Sequence, residues 1–223
     1  LLTRDCDGDH SISDLPALVR AADYAGEAYG HTRLLVLGAR RSRRRPMGWL
    51  RGELELLLDE VTLDAVQFHL ARLGRPLPLA LCMQATGVDL NSGYKLYGRE
   101  LAQQLFVNQE PAFAGIPEVD YWHYGPETCP VVEALLAEAV LAEVPRLTWD
   151  GQPTSSFGSF DPTHLYGCML RWLFNRLDIP LGVAACWYDN RAAGLNLRST
   201  AEGQELLARL RIFALAQLQE QCR

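Results

Sequence analysis

Leu77-Pro78-Leu79-Ala80-Leu81-Cys82-Met83, and the Thr86-Gly87-Val88-Asp89-Leu90-Asn91 that follows it, decide how this chain is read. A short apolar run bounded by Pro and Gly predicts a buried strand over 77–83, and 86–93 is the polar loop leaving its carboxyl end. Upstream, 63–73 predicts a helix stopped by Gly74 with Pro76 beyond. Residues 33–37 read as a second strand, preceded by a helix from Ser13 or Asp14 to Gly30 with Leu15, Leu18, Val19 and Ala22 at helical spacing. Between them, 48–58 fits either a helix or a hairpin about Arg51-Gly52. Downstream, 95–107 predicts an amphipathic helix, 108–125 an irregular Pro- and aromatic-rich segment, and 127–144 a helix striped by Val131, Leu135, Leu136, Ala139 and Val140. A polar loop (148–163), a helix (164–177), a strand (181–188) and a closing helix (200–219) complete the chain. Strands alternating with helices imply one α/β domain over 1–223, with a mixed or mostly parallel central sheet and helices on both faces. Ligand sites in such sheets collect at the carboxyl ends of the strands.

The composition, 48% hydrophobic and 22% charged over 223 residues, is that of a globular protein. A net charge of -6 argues against nucleic acid as a partner, because phosphate neutralisation needs clustered cations. One such cluster exists, Arg40, Arg41, Arg43, Arg44 and Arg45; it reads as a solvated loop or as a site for an anion or acidic partner. No run of about 18 apolar residues is present, so no membrane span is expected. Cys6, Cys82, Cys129, Cys168, Cys186 and Cys222 form no Cys-x-x-Cys pair, which suits reduced thiols and a cytoplasmic location. The chain opens on Leu1 rather than Met, so it is read as open to being a fragment of a longer protein, and an upstream leader is left open.

Three blocks follow in order: Gly87-Val88-Asp89-Leu90-Asn91, then Tyr124-Gly125-Pro126-Glu127-Thr128, then Ile179-Pro180-Leu181-Gly182-Val183 leading to Cys186-Trp187-Tyr188-Asp189 and Gly194-Leu195. Together they resemble the zinc carboxypeptidases of the carboxypeptidase A-like family. The resemblance implies a carboxypeptidase-like sheet, with Asn91 and Ser92 (Arg in the family) where a substrate carboxylate is held. It also puts Cys186 in the general-base position, close to Asn91, and Arg45 in the family's Gly-x-Ser-x-x-Gly-Arg-Pro turn. The zinc ligands are missing. No His-x-x-Glu occurs; Leu57-Leu58-Asp59-Glu60 keeps Glu60 without the His, and the later His would fall near Thr148-Trp149-Asp150. A thiol, with a reference pKa of about 8.5, is no equivalent base. The resemblance therefore implies a degenerate member that needs no cofactor and binds a peptide or protein partner without zinc-dependent cleavage. The alternative is an active metal-dependent hydrolase, of peptidase or amidase type, with a site drawn from Asp59, Glu60, His123 and Asp150.

Three further patterns bear on chemistry. Asp5-Cys6-Asp7-Gly8-Asp9 offers oxygens at alternate positions, as Ca²⁺ loops and Mg²⁺ sites do, so Asp5, Asp7 and Asp9 are metal candidates and Mg²⁺-dependent phosphate chemistry is a third reading. An exposed turn with a helix cap accounts for the same residues. Tyr121-Trp122-His123-Tyr124 is an aromatic cluster suited to ligand contact. Phe157-Gly158-Ser159-Phe160-Asp161-Pro162-Thr163-His164 resembles the nucleotidyltransferase fingerprint, but Gly167 stands where its second His is needed.

Overall fold

Leu34-Leu35-Val36-Leu37-Gly38-Ala39-Arg40 is buried at every residue and forms β2 (Leu34–Arg40), the centre of a five-stranded sheet. The computed structural model describes residues 1–4, 10–30, 32–41, 48–77, 79–81, 87–108, 116–146, 160–216 and 218. The sheet order is β1-β4-β2-β5-β3, with β1 Leu2–Thr3, β3 Leu79–Leu81, β4 Lys95–Tyr97 and β5 Val140–Arg146. β5 lies parallel to β2 in register from Leu34↔Val140 to Arg40↔Arg146, and β3 lies parallel to β5. β4 is antiparallel to both β2 and β1. β1 therefore runs in the same sense as β2, β3 and β5, which fixes where its carboxyl end opens.

Strand alternation divides the core. Leu34, Val36, Val140 and Ala142 meet Leu18, Ala21, Ala22 and Ala25 of α1 (Leu15–Tyr29), which covers one face. Leu35, Leu37 and Leu141 point the other way, into a larger core. That core is built by α2 (Trp49–Arg72), α4 (Glu118–Leu136), α5 (Pro162–Arg176), α6 (Leu181–Ala193) and α7 (Ala201–Leu215). Each fully buried Leu or Val contributes about 1.5–3 kcal/mol, so this second face holds most of the stability. The α/β class and the helices on both faces agree with the sequence reading. The mixed strand sense also agrees, but the sheet is small and has no clear carboxypeptidase-like form.

Several elements differ from their sequence expectations, for physical reasons. The 48–58 ambiguity resolves as helix, because Leu54, Leu57, Leu58, Val61 and Ala65 recur at three- and four-residue steps on the buried side of α2. The helix expected over 127–144 begins earlier, at Glu118, and ends at Leu136, after which Val140 enters β5 by pairing with Leu34. Pro126 and Pro130 sit inside α4, and the Tyr121 ring lies where a Cβ on residue 125 would stand, so Gly125 makes that turn of helix possible. The helix expected over 95–107 is interrupted: 95–97 pair with β2, and Gly98 donates its N–H to the Leu34 carbonyl at 2.8 Å before α3 (Arg99–Gln103) starts. The strand expected over 181–188 is α6, a helix entered through Pro180. Ala184, Tyr188 and Ala192, four residues apart, form its buried stripe, and Tyr188 donates its hydroxyl to the Leu207 carbonyl at 2.8 Å. No described helix is long and apolar enough to cross a membrane.

Candidate functional site

Buried charge gathers where β2 and β5 end. Arg40, the last residue of β2, donates through Nε to Asp89 at 2.9 Å and through its backbone N–H to the same carboxylate at 2.8 Å, and pairs with Glu55 at 2.7 Å. Burial opposes the guanidinium charge, but Asp89 and Glu55 outweigh it and hold its pKa above the ordinary value. The Asp89 N–H donates to Glu143 at 2.7 Å. Asp59 accepts from both the backbone N–H (3.0 Å) and the side-chain amide (2.7 Å) of Asn91, whose Oδ1 accepts the Thr128 hydroxyl at 2.7 Å. Ser92 donates to the Gly38 carbonyl at 2.6 Å, beside Arg146 Nε at 2.9 Å. Gly87, at φ 86°, lets the chain turn into this loop. The loop at 87–94 is thus clamped onto the sheet by groups that are all buried.

A cavity of about 140 Å³ adjoins the clamp. Arg51 and Glu55 reach it from α2, His123, Tyr124, Glu127 and Thr128 from α4, and Tyr166 from α5, with Asn91 at its inner side. Leu58, Leu165 and Met169 give it an apolar wall, and Phe160 packs against Tyr124 edge to face at 5.3 Å. Burial pushes the Tyr166 and Tyr124 phenols up, so both keep their protons at neutral pH and can donate. Arg51 stays charged because Glu55, 2.8 Å away, offsets its partial burial. The cavity therefore offers both charges, hydroxyl donors and aromatic edges to a small polar ligand. Beside it, Asp120, His164 and Cys168 bring oxygen, nitrogen and sulfur donors within 4.8 Å of one another.

The residues singled out from sequence separate into groups. Asn91, His123 and Tyr124 line the cavity, and Ser92 is buried beside Asn91 in the clamp. Tyr121 is buried under α4 and Trp122 points outward; neither lines the cavity. Glu60 faces Arg191 of α6 at 3.8 Å. Cys186, expected at a strand end near Asn91, lies exposed on α6 and accepts from Asn190 at 3.4 Å; it does not line the cavity. Among the described residues the cluster with metal-ligand geometry is Asp120, His164 and Cys168, and Asp59, Glu60 and His123 are not in it. Asp5, Asp7, Asp9, Arg45 and Asp150 lie outside the described residues. Asp161 caps α5 by accepting from the Thr163 N–H at 3.0 Å, the ordinary role for an Asp in a Phe-Asp-Pro turn.

Sequence reasoning missed Arg51, Glu55, Glu127, Tyr166, Asp120 and Cys168. Two of the missed features had a readable signal. Arg51 and Glu55 stand four apart, as do His164 and Cys168, and each pair shares one helix face. Comparison of the chain with protein-family models, with curated proteins and with solved structures returns no match.

Proposed function

We propose that the chain acts on a phosphorylated small molecule with the help of a hard divalent cation such as Mg²⁺, held through Asp5, Asp7 and Asp9. The sense of β1 carries this reading. Running with β2 and β5, β1 delivers the chain at Arg4 to the carboxyl edge of the sheet, where Arg40 and Asp89 lie. The chain returns at His10, whose carbonyl accepts from Arg4 at 3.3 Å and whose ring stacks on Tyr94 at 5.3 Å. Ligands of open α/β sheets gather at this edge. Carboxylate oxygens suit Mg²⁺, which keeps further positions for phosphate oxygens and eases charge build-up on a leaving phosphate. The arginines that follow β2 in sequence, Arg41 to Arg45, add the cations a phosphate would meet.

Calorimetric titration with pyrophosphate and with a nucleoside diphosphate, each with and without Mg²⁺ or Mn²⁺, tests the proposal. Binding should require the cation, and Asp7→Ala should abolish that requirement's effect while leaving the circular dichroism spectrum intact. Equal binding without the cation, or wild-type binding by Asp7→Ala, would sink the reading. A peptide ligand, as the carboxypeptidase resemblance implies, has one observation in its favour: Arg51 lines the cavity with His123 and Tyr124, where it would meet a terminal carboxylate. Titration of short peptides with free and amidated carboxyl ends discriminates, since this reading requires the free carboxylate and an effect of Arg51→Gln.

A further inference from the structure

We infer that Asp120, His164 and Cys168 form a site for zinc, or a metal of the same class, with its fourth coordination position open. His164 and Cys168 stand one helical turn apart on α5 and face Asp120 on α4. Asp120 Oδ2 lies 3.0 Å from His164 Nε2 and 3.8 Å from Cys168 Sγ, and Sγ lies 3.7 Å from Nε2. Tetrahedral zinc, with bonds of about 2.3 Å to sulfur and about 2.0–2.1 Å to nitrogen and oxygen, spaces its ligand atoms about 3.3–3.6 Å apart. The triangle already has that size, and closing it on a metal needs shifts of a few tenths of an ångström.

Donor type and charge agree with this geometry. A thiol, an imidazole and one carboxylate select zinc or cobalt over Mg²⁺ and Ca²⁺, which prefer all-oxygen shells. Asp120 and Cys168 both meet His164 at the same ring nitrogen, Nε2, so the trio is not a Cys–His–Asp relay, which would use both ring nitrogens. Cys168 is 1% exposed, and a thiolate, a carboxylate and a divalent metal sum to zero charge, so the filled site suits its burial. Zinc takes cysteine as the thiolate, so binding exchanges one S–H bond for one Zn–S bond with release of one proton. The Tyr124 ring, which lines the cavity, lies 6.5 Å from the His164 ring, so the site is a neighbour of that cavity. This inference does not depend on the proposed phosphate chemistry, whose metal is of the opposite class.

The test is Zn²⁺ titration of chelator-treated protein against a competing indicator, with Co²⁺ absorption as a second readout. One equivalent of Zn²⁺ should bind with about one proton released per metal. Co²⁺ should give tetrahedral d–d bands and a sulfur-to-metal charge-transfer band. His164→Gln, at a partly exposed position, and Cys168→Ser should each weaken Zn²⁺ by more than about 100-fold, beyond what a neighbouring residue would do. Both should keep the wild-type circular dichroism spectrum, and Asp7→Ala should bind Zn²⁺ as the wild type does. Failure of the wild type to take up one equivalent overturns the inference. So does wild-type affinity in either ligand variant, or a thiolate band that persists in Cys168→Ser.

Discussion

Replacing Asp89 by Ala should destabilise the protein by about 3–5 kcal/mol, the range for removing one partner of a buried ion pair. Asp89 is fully buried and takes three donors from Arg40: the backbone N–H at 2.8 Å, Nε at 2.9 Å and Nη2. The variant takes from Arg40, itself only 5% exposed, a buried ion-pair partner and takes an acceptor from its backbone N–H. Losing a buried acceptor costs about 1–3 kcal/mol on its own, and the unbalanced charge supplies the remainder. Arg40→Met combined with Asp89→Leu removes both charges, and it should cost less than the two single changes added together by about 0.5–3 kcal/mol. Urea unfolding followed by circular dichroism measures all four proteins of the cycle. A loss under about 1 kcal/mol for Asp89→Ala, or simple additivity in the cycle, would refute the view that this pair ties the loop at 87–94 to β2.

Three further outcomes are expected. Gly98→Ala should cost about 3 kcal/mol, the upper end of the overpacking range, because its Cβ would collide with the Thr32 backbone carbonyl, which has no rotamer to escape into; an unchanged melting temperature would contradict it. Cys186 is exposed whereas burial holds the Cys129 and Cys168 thiols up, so Cys186→Ser should remove one fast-reacting equivalent in a thiol-reagent assay of the metal-free protein, and no change in the fast phase would be the contrary result. Arg211, donating at 2.7 and 2.9 Å, holds the Asp189 carboxyl below its ordinary pKa. The stabilisation is present above the unfolded carboxyl pKa and is lost as pH falls through the lowered folded value. Because the pair is about half exposed, Asp189→Asn should cost at most about 1 kcal/mol at pH 7 and nothing in strong acid; a difference that survives in acid would rule the pair out as its cause.

What was legible in the sequence follows the range of the forces involved. Helices α1 and α7 advertise themselves through apolar stripes and local caps: Leu18 and Ala22 in α1, and Leu206 and Leu210 in α7 behind the Thr200 hydroxyl, which accepts from Gly203 at 3.1 Å. β4 and β5 do not, because 95–97 and 140–146 become strands only by pairing with β2, across gaps no local pattern records. The 181–188 run misled because it is apolar almost throughout. Length and flanking residues favoured a strand, while the four-residue recurrence of Ala184, Tyr188 and Ala192 decided for a helix. The aromatic cluster at 121–124 was visible as a surface, yet which of its members face inward depends on the phase of α4, and that phase brings His123 and Tyr124 to the cavity while burying Tyr121.

The same network shows what the Asp-Leu-Asn motif does for the fold. Asn91 has its backbone N–H and amide engaged by Asp59 and its carbonyl engaged by Thr128, so its polar groups are committed to holding the loop. Asp89 is committed likewise to Arg40, and Glu143 to the Asp89 N–H. A carboxylate that is buried and already accepting donors from its own fold cannot take a substrate's proton or a metal without first giving up stability of the order of a whole ion pair, about 3–5 kcal/mol. Groups with a smaller commitment stand one layer further out. His123 is exposed, Tyr124 and Glu127 are half-buried, and the His164 ring of the Asp120–His164–Cys168 triangle lies 6.5 Å from the Tyr124 ring. The cavity-facing groups of that outer layer are the ones left to meet a ligand on this edge, while the motif that first draws the eye is the clasp that keeps the edge in shape.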